Sequence, residues 1–204
     1  MQLHRYLHAL VTALPLFAPT ALGQLSPWQV TGLQTWQPSG RPGSSPDWYV
    51  HVNITNPDPT QSVADPDVAQ GKVYCQVVWR YPDVPYNQIS ACDIVDTTGS
   101  TTWAWTVELL EADDADPSPT TNFGLRWRAA STLSASADED VQIWTGVGQF
   151  EVAMNMQGTC AASGFCSWAL KPESTPVPVE VTSVSCSGTV DEALYGIDCD
   201  QEAE

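Results

Sequence analysis

The sequence predicts an all-β protein, a single-domain β-sandwich or β-barrel stabilised by disulfides. Three observations support this: apolar residues recur with a period of two, turn-forming segments separate the periodic runs, and the 204 residues include six cysteines. Short strands spaced by Pro- and Gly-rich turns are typical of both architectures. No window of a dozen residues has the apolar stripe of a helix, although 63–71 and 191–195 could each form a short helical turn.

Four runs alternate apolar and polar side chains, as a strand does when one of its faces is buried. These runs are 48–55, 73–80, 102–109 and 122–129. Core packing is the better interpretation of the tryptophans on their apolar faces, because burial of a large ring is strongly favourable; they are Trp48, Trp79, Trp103, Trp105 and Trp127. Weaker strand candidates are 29–36, 141–147, 149–154, 165–170 and 177–185.

Segments rich in proline or acidic residues separate the runs, at 38–47, 56–66, 113–119 and 171–178. Proline cannot donate a ladder hydrogen bond, so these segments are predicted to be loops. No repeat and no break in composition indicates a second domain.

Residues 1–23 have the pattern of a signal peptide. Arg5 lies in the leading segment, 9–17 is apolar, and Ala21-Leu22-Gly23 places small residues before Gln24. The apolar run is too short to cross a membrane. We therefore predict an extracellular, secreted β domain over 24–204, with no membrane span.

The secreted part is strongly acidic, because removal of Arg5 leaves 6 basic residues against 24 acidic ones. Phosphate recognition needs Lys and Arg, so the composition argues against nucleic-acid partners and also against anionic membranes. One histidine, His51, remains after cleavage. This excludes a His-rich zinc site and leaves a serine-hydrolase triad only His51 to use.

Secretion changes the interpretation of the cysteines, since an oxidising compartment favours disulfides. The six are Cys75, Cys92, Cys160, Cys166, Cys186 and Cys199. An even number predicts three bridges, and six cysteines allow 15 pairings. Pairing of sequence neighbours would give Cys75–Cys92, Cys160–Cys166 and Cys186–Cys199.

Asn53-Ile54-Thr55 is the only glycosylation sequon, because Pro57 follows Asn56. The period of two places Asn53 on the polar face of its strand. We therefore predict a glycoprotein modified at Asn53.

Three residues are candidates for ligand binding. Trp144 lies on the less apolar face of its run, where an exposed ring could stack on a sugar. Arg126 and Arg128 share one face of a strand and could hold an anionic ligand. Pairing with carboxylates on neighbouring strands is the better interpretation of these arginines.

No catalytic residue, metal site or cofactor is predicted. Glu108 and Glu151 lie mid-strand on polar faces and could form a glycosidase pair, but a solvated acidic face is the better interpretation. The acidic clusters at 113–116, 138–140 and 198–204 do not have the spacing of an EF-hand. The sequence favours a protein that is not an enzyme.

Four segments carry a resemblance to known proteins: Trp28-Gln29-Val30, Val73-Tyr74-Cys75, 123–127 and 181–188. With them the chain looks like small, secreted, cysteine-containing β proteins of filamentous fungi, and among these it resembles the Alternaria major-allergen-like family. The resemblance implies a secreted barrel or sandwich with internal disulfides, sometimes dimeric, that binds plant defence proteins or small phenolic ligands. The chain is longer than that family, and no cysteine precedes Cys75, so no functional residues are carried over.

The expected function is therefore non-enzymatic: a fungal-type effector or interaction module with a host or cell-surface partner. The alternative is a carbohydrate-binding or carbohydrate-active secreted protein. The partner in either case is an extracellular protein or a glycan. An exposed row of Trp or Tyr would favour sugar binding, and two carboxyl groups in one cleft would favour an enzyme.

Overall fold

A computed structural model describes residues 25–56, 72–94, 104–112, 116–132 and 140–195. Its strands form one 11-stranded sheet, and every pair of named strands is antiparallel. The predicted all-β class is confirmed. The strands are β1 (Trp28–Gln37), β2 (Asp47–Thr55), β3 (Lys72–Arg80), β4 (Ile89–Ile94), β5 (Ala104–Glu111), β6 (Asn122–Thr132), β7 (Asp140–Glu151), β8 (Met156–Cys160), β9 (Cys166–Leu170), β10 (Val177–Val179) and β11 (Val181–Ser187).

The sheet is curled into a half-barrel with the order β11-β7-β6-β5-β4-β3-β2-β1-β9-β8. Strand β10 pairs with β1, while β11, separated from β10 only by Glu180, pairs with β7. These two consecutive strands therefore bring the β1 and β7 regions of the sheet together. Gly146 of β7 permits this approach, since a Cβ there would lie 2.7 Å from Val179 Cγ1 and 3.1 Å from Trp28 Cε3.

The core fills the concave face of the sheet. Alternate residues of β2 and β3 are buried there, as their period of two predicts. One tilted aromatic pair joins strands that are not neighbours in the sheet: the rings of Trp28 in β1 and Trp105 in β5 are only 4.5 Å apart. The largest fully buried side chains include Trp28, Trp127, Phe123 and Phe150.

The predicted core tryptophans are confirmed where the structure describes them. Trp79, Trp105 and Trp127 are buried, and Trp48 is half-buried against Trp79. Trp103 lies outside the described residues.

Two strands are absent from the sequence prediction, and one predicted pair is a single strand. Strands β4 and β8 have no clear apolar alternation; β8 lies at the edge of the sheet, where most of its side chains are exposed. The candidates 141–147 and 149–154 form one strand, β7, which ends at Glu151 and is followed by a turn. The candidate 177–185 is divided at Glu180 into β10 and β11.

The helix α1 (Val190–Tyr195) confirms one of the two predicted helical turns. Thr189 N donates to Glu192 Oε2 at 3.0 Å, and Glu192 N donates to Thr189 Oγ1 at 3.3 Å, which forms a capping box. These hydrogen bonds from Thr189 lower the pKa of Glu192. The apolar side of α1 covers part of the convex face of the sheet, where it packs Ala193 and Leu194 against Ala130, Val141 and Ile143. The other predicted turn, 63–71, lies outside the described residues.

Two of the predicted disulfides are present. Cys75–Cys92 joins directly paired positions of β3 and β4, and Cys160–Cys166 closes the hairpin of β8 and β9. Cys186 is also disulfide-bonded, while Cys199 lies outside the described residues. Within the described ranges, no helix is long and apolar enough to cross a membrane.

Candidate functional site

A cavity of about 470 Å³ opens at one end of the half-barrel, and we call it the end pocket. It lies where β1 ends, β2 begins and β3 ends, positions that antiparallel pairing brings to one edge. The loop 38–46 and the turn at Gly164 complete its wall. Its lining residues are Gln37, Pro38, Ser39, Gly40, Arg41, Ser44, Ser45, Pro46, Trp48, Arg80, Tyr81 and Gly164.

Aromatic rings form the apolar part of the end pocket. Trp48 lies opposite Trp79 in the β2–β3 register, and their rings pack with centroids 6.2 Å apart. Tyr81 stacks on Trp48 with centroids 5.7 Å apart and planes 23° apart. Because Trp79 is buried, it holds Trp48 from the core side, whereas Tyr81 is 71% exposed and presents its ring to solvent.

Two arginines supply the polar part. Arg80 Nε donates to Asp47 Oδ1 at 2.9 Å, across the directly paired positions of β2 and β3. Arg41 Nη2 donates to the carbonyl of Ala162 at 3.4 Å, which links the loop to the β8–β9 turn. Arg41 also anchors its own turn, because Ser44 Oγ donates to its carbonyl at 2.7 Å. The pocket therefore combines an exposed ring, the Arg80 guanidinium with its neighbouring carboxylate partner, the Arg41 guanidinium and several hydroxyl groups.

A row of rings crosses the convex face of the sheet, and we call it the outer aromatic strip: Phe165, Trp36, Tyr49, His51 and Tyr74. Neighbouring centroids are 5.1 Å apart for Trp36–Phe165, 6.1 Å for Trp36–Tyr49 and 4.0 Å for Tyr49–His51, all with nearly parallel planes. Tyr74 meets His51 edge-on at 5.6 Å. Cross-strand aromatic contacts of this kind stabilise a sheet face.

Burial shifts the pKa values of two members of the outer aromatic strip. Desolvation lowers the pKa of His51, whose Nε2 is buried with no hydrogen-bond partner in the described part of the chain. Desolvation also raises the pKa of the Tyr74 hydroxyl, with smaller contributions from Tyr49 and Asp93. Burial therefore favours the neutral form of His51.

The three ligand-binding candidates from the sequence do not come together in the end pocket or in the outer aromatic strip. Trp144 is 4% exposed and belongs to the core, so it offers no ring face to a sugar. Arg126 Nη1 donates to Glu108 Oε2 at 2.9 Å, which confirms pairing with a carboxylate on the neighbouring strand. Arg128 lies opposite Thr106 and Thr145 and forms no ion pair within the described ranges.

Glu108 and Glu151 do not form a glycosidase pair. Glu108 is opposite Arg126, which is opposite Val147 of β7, and Glu151 lies four residues further along that strand. At about 3.3 Å per residue this offset alone is about 13 Å, beyond the spacing of such carboxyl groups. The expectation of a solvated face is wrong for Glu108, which is 8% exposed because Arg126 and the neighbouring strands cover it.

The residues described here contain no group of three or more possible metal ligands. Most of the acidic clusters considered above lie outside the described residues, including 113–115, 138–139 and 198–204. Asn53 is exposed on the convex face of β2, as its strand position predicts.

Sequence reasoning missed the residues of the end pocket. The segment 38–47 is recognisable only as a Pro- and Gly-rich loop, and Tyr81 follows the last residue of a strand. One signal in the sequence could have located them. If Trp48 of β2 is paired with Trp79 of β3 in an antiparallel hairpin, Asp47 lies opposite Arg80.

Comparisons with family models, with curated proteins and with solved structures found no significant match. The resemblance to the Alternaria major-allergen-like family therefore stays a prediction.

Proposed function

We propose that this chain is a secreted, non-enzymatic binding protein whose end pocket takes a neutral carbohydrate. The observation that carries the proposal is the meeting, around one cavity, of the Tyr81 and Trp48 rings with the guanidinium groups of Arg80 and Arg41. The cell-surface partner expected from the sequence would then be a glycan.

The chemistry of a sugar matches this lining. A pyranose ring has C–H groups on its faces, which pack on aromatic rings, and hydroxyl groups on its edge, which both donate and accept hydrogen bonds. The hydroxyl groups of Ser39, Ser44 and Ser45 can both donate and accept, while Arg80 and Arg41 can only donate. The volume of about 470 Å³ lies within the usual range for small-molecule sites, about 300–1,000 Å³.

Electrostatics favour a neutral sugar over a polyanion. The chain carries a formal net charge of −17, which repels an approaching polyuronate or sulfated glycan. Arg80, which lines the end pocket, is already paired with the neighbouring Asp47. A single guanidinium, that of Arg41, is too little to offset repulsion from the rest of the surface.

Secretion is the second part of the proposal. It is supported by the signal-like pattern of 1–23 and by the disulfides Cys75–Cys92 and Cys160–Cys166, since disulfides persist in oxidising compartments.

A glycan array tests the proposal, with immobilised neutral and uronate-rich oligosaccharides and labelled protein lacking residues 1–23. We expect binding to neutral glycans. Tyr81→Ala should weaken it about 3- to 10-fold, because an aromatic contact contributes about 0.5–1.5 kcal/mol beyond its buried area.

Tyr195→Ala is the matched control, since Tyr195 is also an exposed tyrosine but lies on α1, away from the end pocket. It should bind like the wild type. Binding confined to uronates would contradict the ligand class. Absence of glycan binding, or equal effects of the two substitutions, would contradict the proposal itself.

A further inference from the structure

The outer aromatic strip ends beside the glycosylation sequon. In the β-sheet register Asn53 of β2 lies directly opposite Tyr74 of β3, and His51 precedes it by two residues on the same face. On its other side Asn53 faces Gly32 of β1. The acceptor amide is thus flanked by two rings and by a position with no side chain.

Gly32 leaves the space that the amide occupies. A Cβ at this position would lie 3.1 Å from Asn53 Nδ2, closer than an ordinary van der Waals contact. The β1–β2 register also shifts between Val30 and Gly32, which marks a bulge at this point. The nitrogen to which a sugar would be attached therefore lies over the bare backbone of Gly32, and Asn53 itself is exposed.

The rings nearest the sequon differ from the rest of the outer aromatic strip. Tyr49 and His51 are parallel, with centroids 4.0 Å apart, so each covers a face of the other. Tyr74 is rotated by 66° relative to His51 and has no second ring contact within the described residues. Its half-buried ring lies next to Asn53 instead of being enclosed in the stack.

We infer that a sugar attached to Asn53 packs its C–H face against Tyr74 and the adjoining edge of His51. Attachment makes the contact intramolecular, so even a weak stacking contact is populated at the high effective concentration that a tether gives. The glycan would cover aromatic area that a bare sheet face exposes to water. This packing depends on use of the sequon and is independent of the end pocket.

The test uses protein secreted by eukaryotic cells, in which the attached glycan is identified by mass spectrometry of the peptide containing Asn53. Thermal midpoints are then compared between the glycosylated wild type and Thr55→Ala, which removes the sequon and keeps Asn53. Asn53→Gln gives a second unglycosylated reference in case the loss of the Thr55 hydroxyl itself lowers stability. We expect the glycan to raise the midpoint by about 2–4 °C, a shift resolvable for a chain of this size.

The pair of variants Tyr74→Ala and Tyr74→Ala/Thr55→Ala isolates the packing. The increase in thermal midpoint that the glycan causes should disappear in proteins that carry Tyr74→Ala. It should persist in proteins that carry Tyr195→Ala, a change at the exposed tyrosine of α1. An unmodified Asn53 in the secreted protein would overturn the inference. A glycan that raises the thermal midpoint by the same amount in the presence and absence of the Tyr74 ring would also overturn the inference.

Discussion

Arg126 donates a hydrogen bond to the buried carboxylate of Glu108 at 2.9 Å, and this pair links β5 to β6 on the convex face of the sheet. A second pair, Arg80–Asp47, has the same 2.9 Å separation but lies at the exposed end of β2 and β3, with side chains 73% and 42% exposed. The two ion pairs therefore have the same N–O distance and differ in how far their side chains are buried.

Arg126→Met should lower the free energy of unfolding by about 1–3 kcal/mol. It leaves the Glu108 charge buried without a cation, which costs about 3–5 kcal/mol in a fully buried pair, and the one third exposure of Arg126 reduces that figure. Arg80→Met should cost less than about 1 kcal/mol, since exposed pairs contribute little. Urea unfolding at pH 7 measures both; equal losses would contradict the role given to burial.

Gly146→Ala should destabilise the junction between β7 and the β10–β11 segment. Its Cβ would lie 2.7 Å from Val179 Cγ1, and overpacking of this kind costs about 1–3 kcal/mol. The neighbouring Val147 is exposed, so Val147→Ala is the control and should change stability by less than about 0.5 kcal/mol. A Gly146→Ala protein as stable as the control would show that the two regions do not approach as closely as described.

Stability should fall below pH 6.5 because of His51. Burial lowers the pKa of His51 in the folded state relative to the unfolded chain, so the unfolded chain binds the proton first as the pH decreases. The contribution of neutral His51 to stability is therefore complete above the pKa of the unfolded chain, about 6.5. It is lost as the pH falls from there toward the lower pKa of His51 in the folded protein. Comparison of urea unfolding at pH 7.5 and 5.5 for the wild type and His51→Gln measures it. Parallel losses in both proteins would exclude His51 as the cause.

The disulfides Cys75–Cys92 and Cys160–Cys166 should contribute unequally to stability. Cys75–Cys92 closes a separation of 17 residues and Cys160–Cys166 one of 6. Chain entropy then predicts losses of about 3 and about 2 kcal/mol when each pair is replaced by alanine. Cys75 is also fully buried, which adds a packing cost. A larger loss for the Cys160/Cys166 variant in urea unfolding would contradict this ranking.

The alternation of side chains made β2, β3, β5 and β6 predictable, because each has one buried face and few interruptions. Strand β7 was harder to predict, and so was the burial of Trp144. The inward face of β7 includes Gly146 and Gly148, whose missing side chains admit Val179 and make that face look polar in the sequence. The contact with Val179 requires glycine at these two positions, and for this reason the buried face of β7 cannot be recognised from apolar residues in the sequence.

The end pocket could not be predicted for a different reason. Its aromatic pair, Trp48 and Tyr81, is 33 residues apart in sequence numbering and meets only through the β2–β3 register. The loop 38–46 that encloses it has a composition typical of any turn. Local patterns fix which face of a strand is buried, whereas a pocket at the ends of several strands depends on their pairing and on how far each extends.

The most direct measurement of the proposed binding site is a heteronuclear NMR titration of isotope-labelled protein with a neutral oligosaccharide that binds on the array. We predict concentration-dependent shifts at the Trp48 indole N–H and at the backbone amides of 39–45 and Tyr81, with little change on α1. Shifts confined to the outer aromatic strip, or none at millimolar ligand, would contradict the assignment of the end pocket as a carbohydrate site.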